Sequence, residues 1–180
     1  MGRRTTMTVV AVGMLLVATG CGSTKGGTAT PSTGAAGTSA ATAALWDPCT
    51  QISDQVLRKV GVSPSTKRSG IAGVEEPGWK VCSWNNDDFT VGVFSTINTV
   101  EDFKRKTDNI DFKDTSVAGR QGVEHRMASD KFDEVCSLVF PASQGVVQIL
   151  IRNRTSSTNV VAPCTRAETV ASNLVPVFPR

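Results

Sequence analysis

The residues best placed to do chemistry in this chain are its five cysteines. Cys21 follows Ala18-Thr19-Gly20, which closes an apolar run from Met7 to Val17 that itself follows Arg3 and Arg4. A positive start, an apolar stretch and small residues before a thiol form a bacterial export signal that ends in a lipobox. Small side chains suit the peptidase ahead of the cut, and the thiol just after it is the nucleophile that accepts lipid. Residues 1–20 therefore read as a lipoprotein signal peptide, and Cys21 as the first residue of the mature protein, anchored by palmitate-type acyl chains. The apolar run is about half of the ~20 residues that span a bilayer, so a membrane-crossing helix is not expected. Thr5-Thr6-Met7 does not continue the arginine pair into the pattern of twin-arginine export.

With Cys21 assigned to lipid, Cys49, Cys82, Cys136 and Cys164 remain, an even set in an exported chain where disulfides persist. Four cysteines allow three connectivities. Pairing Cys49 with Cys82 and Cys136 with Cys164 is the choice in which each bond closes one local unit. Loops of about 30 residues are worth roughly 3.5 kcal/mol each in the chain-entropy model, a large share of a small domain's stability. No two cysteines are close in sequence and there is one histidine, so no zinc site of the paired-ligand kind is expected. No metal or other cofactor is called for.

Other reactive side chains form weaker patterns. His125 lies in Glu124-His125-Arg126 on an expected strand, where a structural imidazole is the plainer reading. The chain has no Gly-x-Ser-x-Gly elbow, no Ser-x-x-Lys pair, no phosphate-cradling glycine loop and no metal-binding helix. Asn85-Asn86-Asp87-Asp88 offers oxygen ligands, but its spacing is not that of a calcium loop and a plain turn is expected. Trp46 and Trp79 stand in loop-like contexts and are the candidates for a binding surface. Removing residues 1–20 lowers the formal charge from +3 to +1, which leaves no concentrated basic footprint for nucleic acid.

Several elements must position these residues. Gly22 to Leu45 is almost wholly Gly, Thr, Ser and Ala, so residues 21–45 read as the lipidated cysteine and a flexible tether, with a random-coil reach of about 25 to 30 Å. The globular domain is expected over 46–180. Ser53 reads as an N-cap, with Ile52 and Leu57 as a hydrophobic staple and Gly61 as a left-handed stop, which predicts a helix over Asp54 to Val60. Ser63 to Gly78 reads as a surface loop. Lys80 to Trp84 and Phe89 to Thr96 form a hairpin, and Thr99 caps a second helix whose inner stripe is Val100, Phe103 and Thr107. Lys104-Arg105-Lys106 with Asp108, Asp111 and Asp114 reads as a solvated helix face followed by a loop. Strands over Val123 to Met127, Glu134 to Phe140 and Val146 to Arg152 make a meander that is apolar on both faces. Pro163 opens a final helix with Cys164, Ala167, Ala171 and Leu174 inward, ended by Pro176. Asn153-Arg154-Thr155 fits a glycosylation acceptor by chance. The order α-β-β-α-β-β-β-α is that of a single α+β domain, a largely antiparallel sheet flanked by helices and stapled by two disulfides.

The lipobox, the low-complexity tether, Asp47-Pro48-Cys49, Cys82-Ser83-Trp84, Cys136 within a strand and Cys164 at the head of the last helix resemble actinobacterial, mycobacterial-type cell-envelope lipoproteins of a family defined by a domain of unknown function. The resemblance covers Trp46 to the C-terminus. It implies a lipid-anchored domain on the outer face of the cell membrane and implies no activity. The expected function is a non-catalytic module that binds an envelope protein, a wall component or a small lipid-like ligand. The alternatives are an envelope hydrolase or transferase built on Glu75, Glu76, Asp87 and Asp88, and a binding protein that is secreted rather than anchored. Converging carboxylates in a cleft would favour the enzyme, and a deep apolar pocket the binding module.

Overall fold

The structure, a computed structural model, describes residues 33–180, with side chains from Thr38 onward. The expected signal peptide, Cys21 and the first part of the expected tether lie outside the described residues. Among the described residues, no helix is long and apolar enough to cross a membrane.

The chain runs through helices α1 (Thr33–Ala44), α2 (Pro48–Gln51) and α3 (Asp54–Val60), then strands β1 (Arg68–Ser69), β2 (Trp79–Asn85) and β3 (Phe89–Thr96). Helix α4 (Val100–Lys104) leads to β4 (Asn109–Val117), β5 (Arg120–Met127), β6 (Val135–Ala142) and β7 (Gly145–Asn153), and α5 (Pro163–Leu174) closes the domain. All seven strands lie in one sheet in the order β1-β2-β3-β7-β6-β5-β4, and every neighbouring pair is antiparallel. The hairpin and the meander are joined where β3 runs against β7, from Phe89 opposite Asn153 to Thr96 opposite Val146. The domain is α+β, as its residue patterns predict.

Local chemistry accounts for the helices. Ser53 Oγ accepts a hydrogen bond from the Val56 N–H, and Gly61, at φ 90°, turns the chain out of α3 while its N–H reaches the Arg58 carbonyl. Only glycine takes that left-handed angle without steric cost. Ile52 and Leu57 are both buried, as a staple requires. In α2, Pro48 occupies the first turn and the Asp47 carboxylate accepts from the Cys49 N–H at 2.9 Å.

One face of the sheet carries Trp84, Val91, Leu138, Phe140, Ile149 and Ile151, and α3 and α5 cover it with Leu57, Val60, Val170 and Leu174. Each fully buried aliphatic chain contributes roughly 1.5 to 3 kcal/mol by removal from water. The opposite face holds a smaller cluster of Phe103, Val139 and Val146 with Trp79 and Val100 against it. Both faces of the meander are thus covered. The disulfides are Cys49–Cys82, which ties α2 to β2, and Cys136–Cys164, which ties β6 to α5.

Besides the short α2, which the expected order lacks, four elements differ from expectation. Thr33–Ala44 of the expected tether form α1, since the run Ala-Ala-Gly-Thr-Ser-Ala-Ala-Thr-Ala-Ala is dense in alanine, the strongest helix former. The end of this segment is docked: Thr42 Oγ1 accepts from the Gly78 N–H at 2.6 Å, and Leu45 is buried. The loop over Ser63 to Gly78 contains a 3-10 turn at Pro64–Thr66 and the two-residue β1. Helix α4 ends at Lys104, so Thr107 is exposed beyond it and is not part of an inner stripe. The acidic stretch after Lys106 is the edge strand β4, whose register shifts between Ile110 and Lys113 where Asp111 takes φ 56°. Charges and a bulge on an edge discourage pairing with other chains, and they hide the alternation that marks a strand.

Candidate functional site

An apolar hollow lies beneath α4, on the sheet face opposite α3 and α5. Thr99 starts α4 with a reciprocal cap: its Oγ1 accepts from the Asp102 N–H at 3.3 Å, and Asp102 Oδ2 accepts from the Thr99 N–H at 2.7 Å. These bonds hold the Asp102 carboxyl below the usual carboxylate range, the Thr99 backbone N–H contributing most. Phe103, only 2 % exposed, anchors the helix on Val139 and Val146. The space left between α4, Gly122 and Val123 of β5, and the β6–β7 hairpin is a cavity of about 630 Å³. Val100, Val123, Ala142 and Val146 line it, while Glu101, Lys104, Asp114 and Gln121 bring polar groups. That size and that mix of apolar wall and few polar groups are typical of small-ligand sites.

Two glycines allow the approach of backbones around this space. Gly145 has φ 119°, and a Cβ there would lie 2.2 Å from the Thr96 carbonyl oxygen. At Gly122 a Cβ would meet the Phe140 ring at 2.6 Å and the Val139 carbonyl oxygen at 2.7 Å.

The two tryptophans that are candidates for a binding surface, Trp46 and Trp79, sit in separate clusters. Trp79 is half-buried, edge-on to Phe94 and Phe103 at 6.3 and 6.1 Å, with Lys106 Nζ 5.3 Å from its ring. It packs on the cluster that forms one wall of the cavity region. Trp46 packs edge-on against Phe178 at 5.4 Å and lines a smaller hollow of about 250 Å³ with Leu45, Ser95 and Pro179. Ala142 and Val146 border both hollows.

Of the carboxylates weighed for catalysis, Glu75 and Asp88 have separate partners. Glu75 accepts from the Ser69 hydroxyl at 2.6 Å. Asp88 accepts from Ser157 Oγ and Asn159 Nδ2 at 2.7 and 3.0 Å; the Asn159 and Ser157 bonds, with more distant Arg166, hold its carboxyl below the usual range. Asn86 Oδ1 accepts from the Asp88 and Phe89 N–H groups at 2.8 Å, so Asn85 to Asp88 form a side-chain-closed turn that ties β2–β3 to the 154–160 loop.

His125 is 1 % exposed and lies between Phe103 and Phe112. Nδ1 bonds the Arg126 carbonyl at 3.2 Å and Nε2 has no hydrogen-bond partner. Desolvation lowers its pKa, aided by Lys106 and opposed by the Arg126 contact. Glu124, Cys136 and Cys164 bring one carboxylate oxygen and two sulfurs within 4.8 Å of one another, but the sulfurs are bonded to each other and so are not thiolate ligands for a metal.

Sequence patterns did not reveal the cavity. Its walls come from Thr99 to Lys104, Asp114, Gln121 to Val123 and Pro141 to Val146, and only the sheet order brings these together. The capping box at Thr99 and the glycines at 122 and 145 are the local traces it leaves.

These features define a disulfide-stapled α+β domain with an apolar hollow on the sheet face that carries only a short helix. The chain belongs to the family described as a protein of unknown function, DUF3558, whose profile matches residues 16–177. No curated protein and no solved structure matches it.

Proposed function

We propose that this chain is a cell-envelope lipoprotein, exported and acylated at Cys21, whose domain is a non-catalytic module that holds a small lipid-like ligand in the cavity beneath α4. The observation that carries the reading is that hollow of about 630 Å³, walled by Val100, Val123 and Val146 with charged Glu101, Lys104 and Asp114 around it. An apolar chain removed from water there gains about 0.8 kcal/mol per buried methylene, while the surrounding charges suit a polar end. The anchor is supported by the small residues Ala18-Thr19-Gly20 before Cys21, and the family match begins at Leu16, ahead of that cysteine. Anchoring places the domain on the outer face of the membrane, beside a source of such ligands.

The test is equilibrium binding of a fluorescent long-chain fatty acid to the full chain and to Val100→Trp, whose indole would fill the cavity. The expected result is saturable binding that weakens at least tenfold in the variant, with an unchanged unfolding midpoint and the probe recovered intact. Absence of saturable binding, or equal affinity in both proteins, would overturn the cavity assignment. Mass spectrometry of the membrane-extracted chain tests the anchor separately, with a diacylated Cys21 expected at the N-terminus.

A further inference from the structure

The β4–β5 hairpin closes on Ala118 and Gly119, at φ 51° and 76°, the pair of left-handed angles that a tight two-residue turn requires. The turn delivers Arg120 as the first residue of β5, and since Val123 lies on the α4 side, alternation puts Arg120 on the side of α5. There α5 ends in a 3-10 turn over Val175–Val177, and Phe178 folds back on Phe140 at 6.3 Å. Between the hairpin and this C-terminal turn is a hollow of about 550 Å³, with Pro141, Val175, Pro176 and Phe178 as apolar walls. Arg120 and Arg180 supply its charge, and among the described residues no acidic side chain lines it. It shares only Pro141 with the cavity beneath α4.

Arg120 is half-buried and held in place. Its Nη2 donates to the carbonyls of Pro141 and Pro179, the second at 2.6 Å. Both acceptors are neutral, so they orient the guanidinium without cancelling its charge, and Nε and Nη1 keep donors for a further acceptor. Desolvation, and then the neighbouring Arg180, lower its pKa, as befits a cation drawn out of water beside a like charge. Among the described residues neither arginine has an ion-pair partner, whereas Arg58, Arg105 and Arg126 each pair with an aspartate. The Arg180 carbonyl is engaged elsewhere, accepting from the Ser143 N–H at 3.1 Å. Two guanidinium groups held together without an anion repel one another, and an anion between them removes that cost.

We propose that this hollow binds a phosphate monoester carried on an apolar body, the phosphate between Arg120 and Arg180 and the body against Pro176 and Phe178. A phosphate monoester carries close to two negative charges at neutral pH, which matches two guanidinium groups. Its oxygens accept the charge-assisted bonds that arginine makes best. A carboxylate would cancel only one of the two charges. Free inorganic phosphate would answer both but leave the apolar walls in water. The site is independent of the ligand proposed for the cavity beneath α4, since it uses none of Val100, Val123 or Val146.

The full chain is titrated by calorimetry at pH 7.5 with octyl phosphate below its micelle concentration, and in parallel with inorganic phosphate and with octanoate. Octyl phosphate is expected to bind saturably at one site, at least tenfold more tightly than inorganic phosphate, because each methylene removed from water adds about fourfold. It is expected to bind at least fivefold more tightly than octanoate, which carries one charge. Arg180→Gln should weaken octyl phosphate about tenfold and leave the unfolding midpoint unchanged, since that side chain is exposed and unpaired in the free protein. Arg120→Lys, which keeps a charge but loses the planar fork, should weaken it by a similar factor. Absence of saturable binding, or full affinity in Arg180→Gln, would overturn the proposal. Equal affinity for octanoate would overturn the phosphate, and equal affinity for inorganic phosphate would overturn the apolar body.

Discussion

His125 and Phe112 lie with ring centroids 5.3 Å apart and planes tilted by 32°, so an imidazole that titrates near neutrality in water is roofed by a phenyl ring. Burial lowers its folded pKa below the ordinary 6.5. Above that value both folded and unfolded chains hold it neutral, and its contribution to stability is complete. As pH falls below it, the unfolded chain takes up the proton first, so stability drops until the folded pKa is passed. Urea unfolding between pH 7.5 and 5 is expected to show a decline of at most about 1.4 kcal/mol per pH unit from this one site. His125→Gln should remove that component, and an identical pH slope in the variant would show that other groups cause it.

Gly145 and Gly119 both have positive φ, 119° and 76°, but only Gly145 is crowded, since nothing lies within 4 Å of a Cβ built at Gly119. Gly119→Ala should therefore cost about 1 kcal/mol, the strain of the left-handed backbone alone. Gly145→Ala must also displace the Thr96 carbonyl, a main-chain atom held in the β3–β7 pairing, and should cost about 3 kcal/mol or more. Chemical denaturation of the two variants measures the difference, and equal losses would contradict the close approach at the hairpin.

The two disulfides close loops with sequence separations of 33 and 28 residues. Loop entropy depends only weakly on such lengths, so removing either is expected to cost nearly the same, about 3.5 kcal/mol. Cys49→Ala with Cys82→Ala, and Cys136→Ala with Cys164→Ala, should shift the urea midpoint by similar amounts. A gap of more than about 2 kcal/mol would mean that packing, rather than chain entropy, dominates one of them.

Much of this fold could be read from local chemistry because its signals are local. Ser53, Leu57 and Gly61 fix α3 by themselves, Pro163 opens α5, and alternation in Leu138-Val139-Phe140 separates the two faces of β6. The disulfide pairing was readable because each bond stays within one unit. Strand β4 was not, since an edge strand with Asp111, Lys113 and Asp114 has one wet side and a bulge that breaks the period. Helix α1 was not, because Thr and Gly between its alanines read as tether and the Thr42 contact with Gly78 is a tertiary one. Nor was the cavity, whose walls meet only after β3 has paired with β7. Cys164 and Glu124 were each visible as residues, but the sequence holds nothing that would place the carboxylate beside the sulfurs.

Helix α4 has five residues, too short to persist on propensity, so the cap at Thr99 and the anchor at Phe103 must hold it over the cavity. Thr99→Ala removes the hydroxyl that accepts from the Asp102 N–H and should cost about 1 kcal/mol. Because Thr99, Val100, Glu101 and Lys104 all border the cavity, that loss falls on local opening of α4 more than on global unfolding. Hydrogen exchange is expected to show faster exchange at Phe103 and Lys104 with little change in β6 and β7. If the cavity binds an apolar ligand as proposed, about 1 kcal/mol of added local opening weakens binding by at most about fivefold, the full factor applying when α4 is already mostly open without ligand. Loss of protection spread evenly over the sheet would mean that α4 unfolds only with the whole domain.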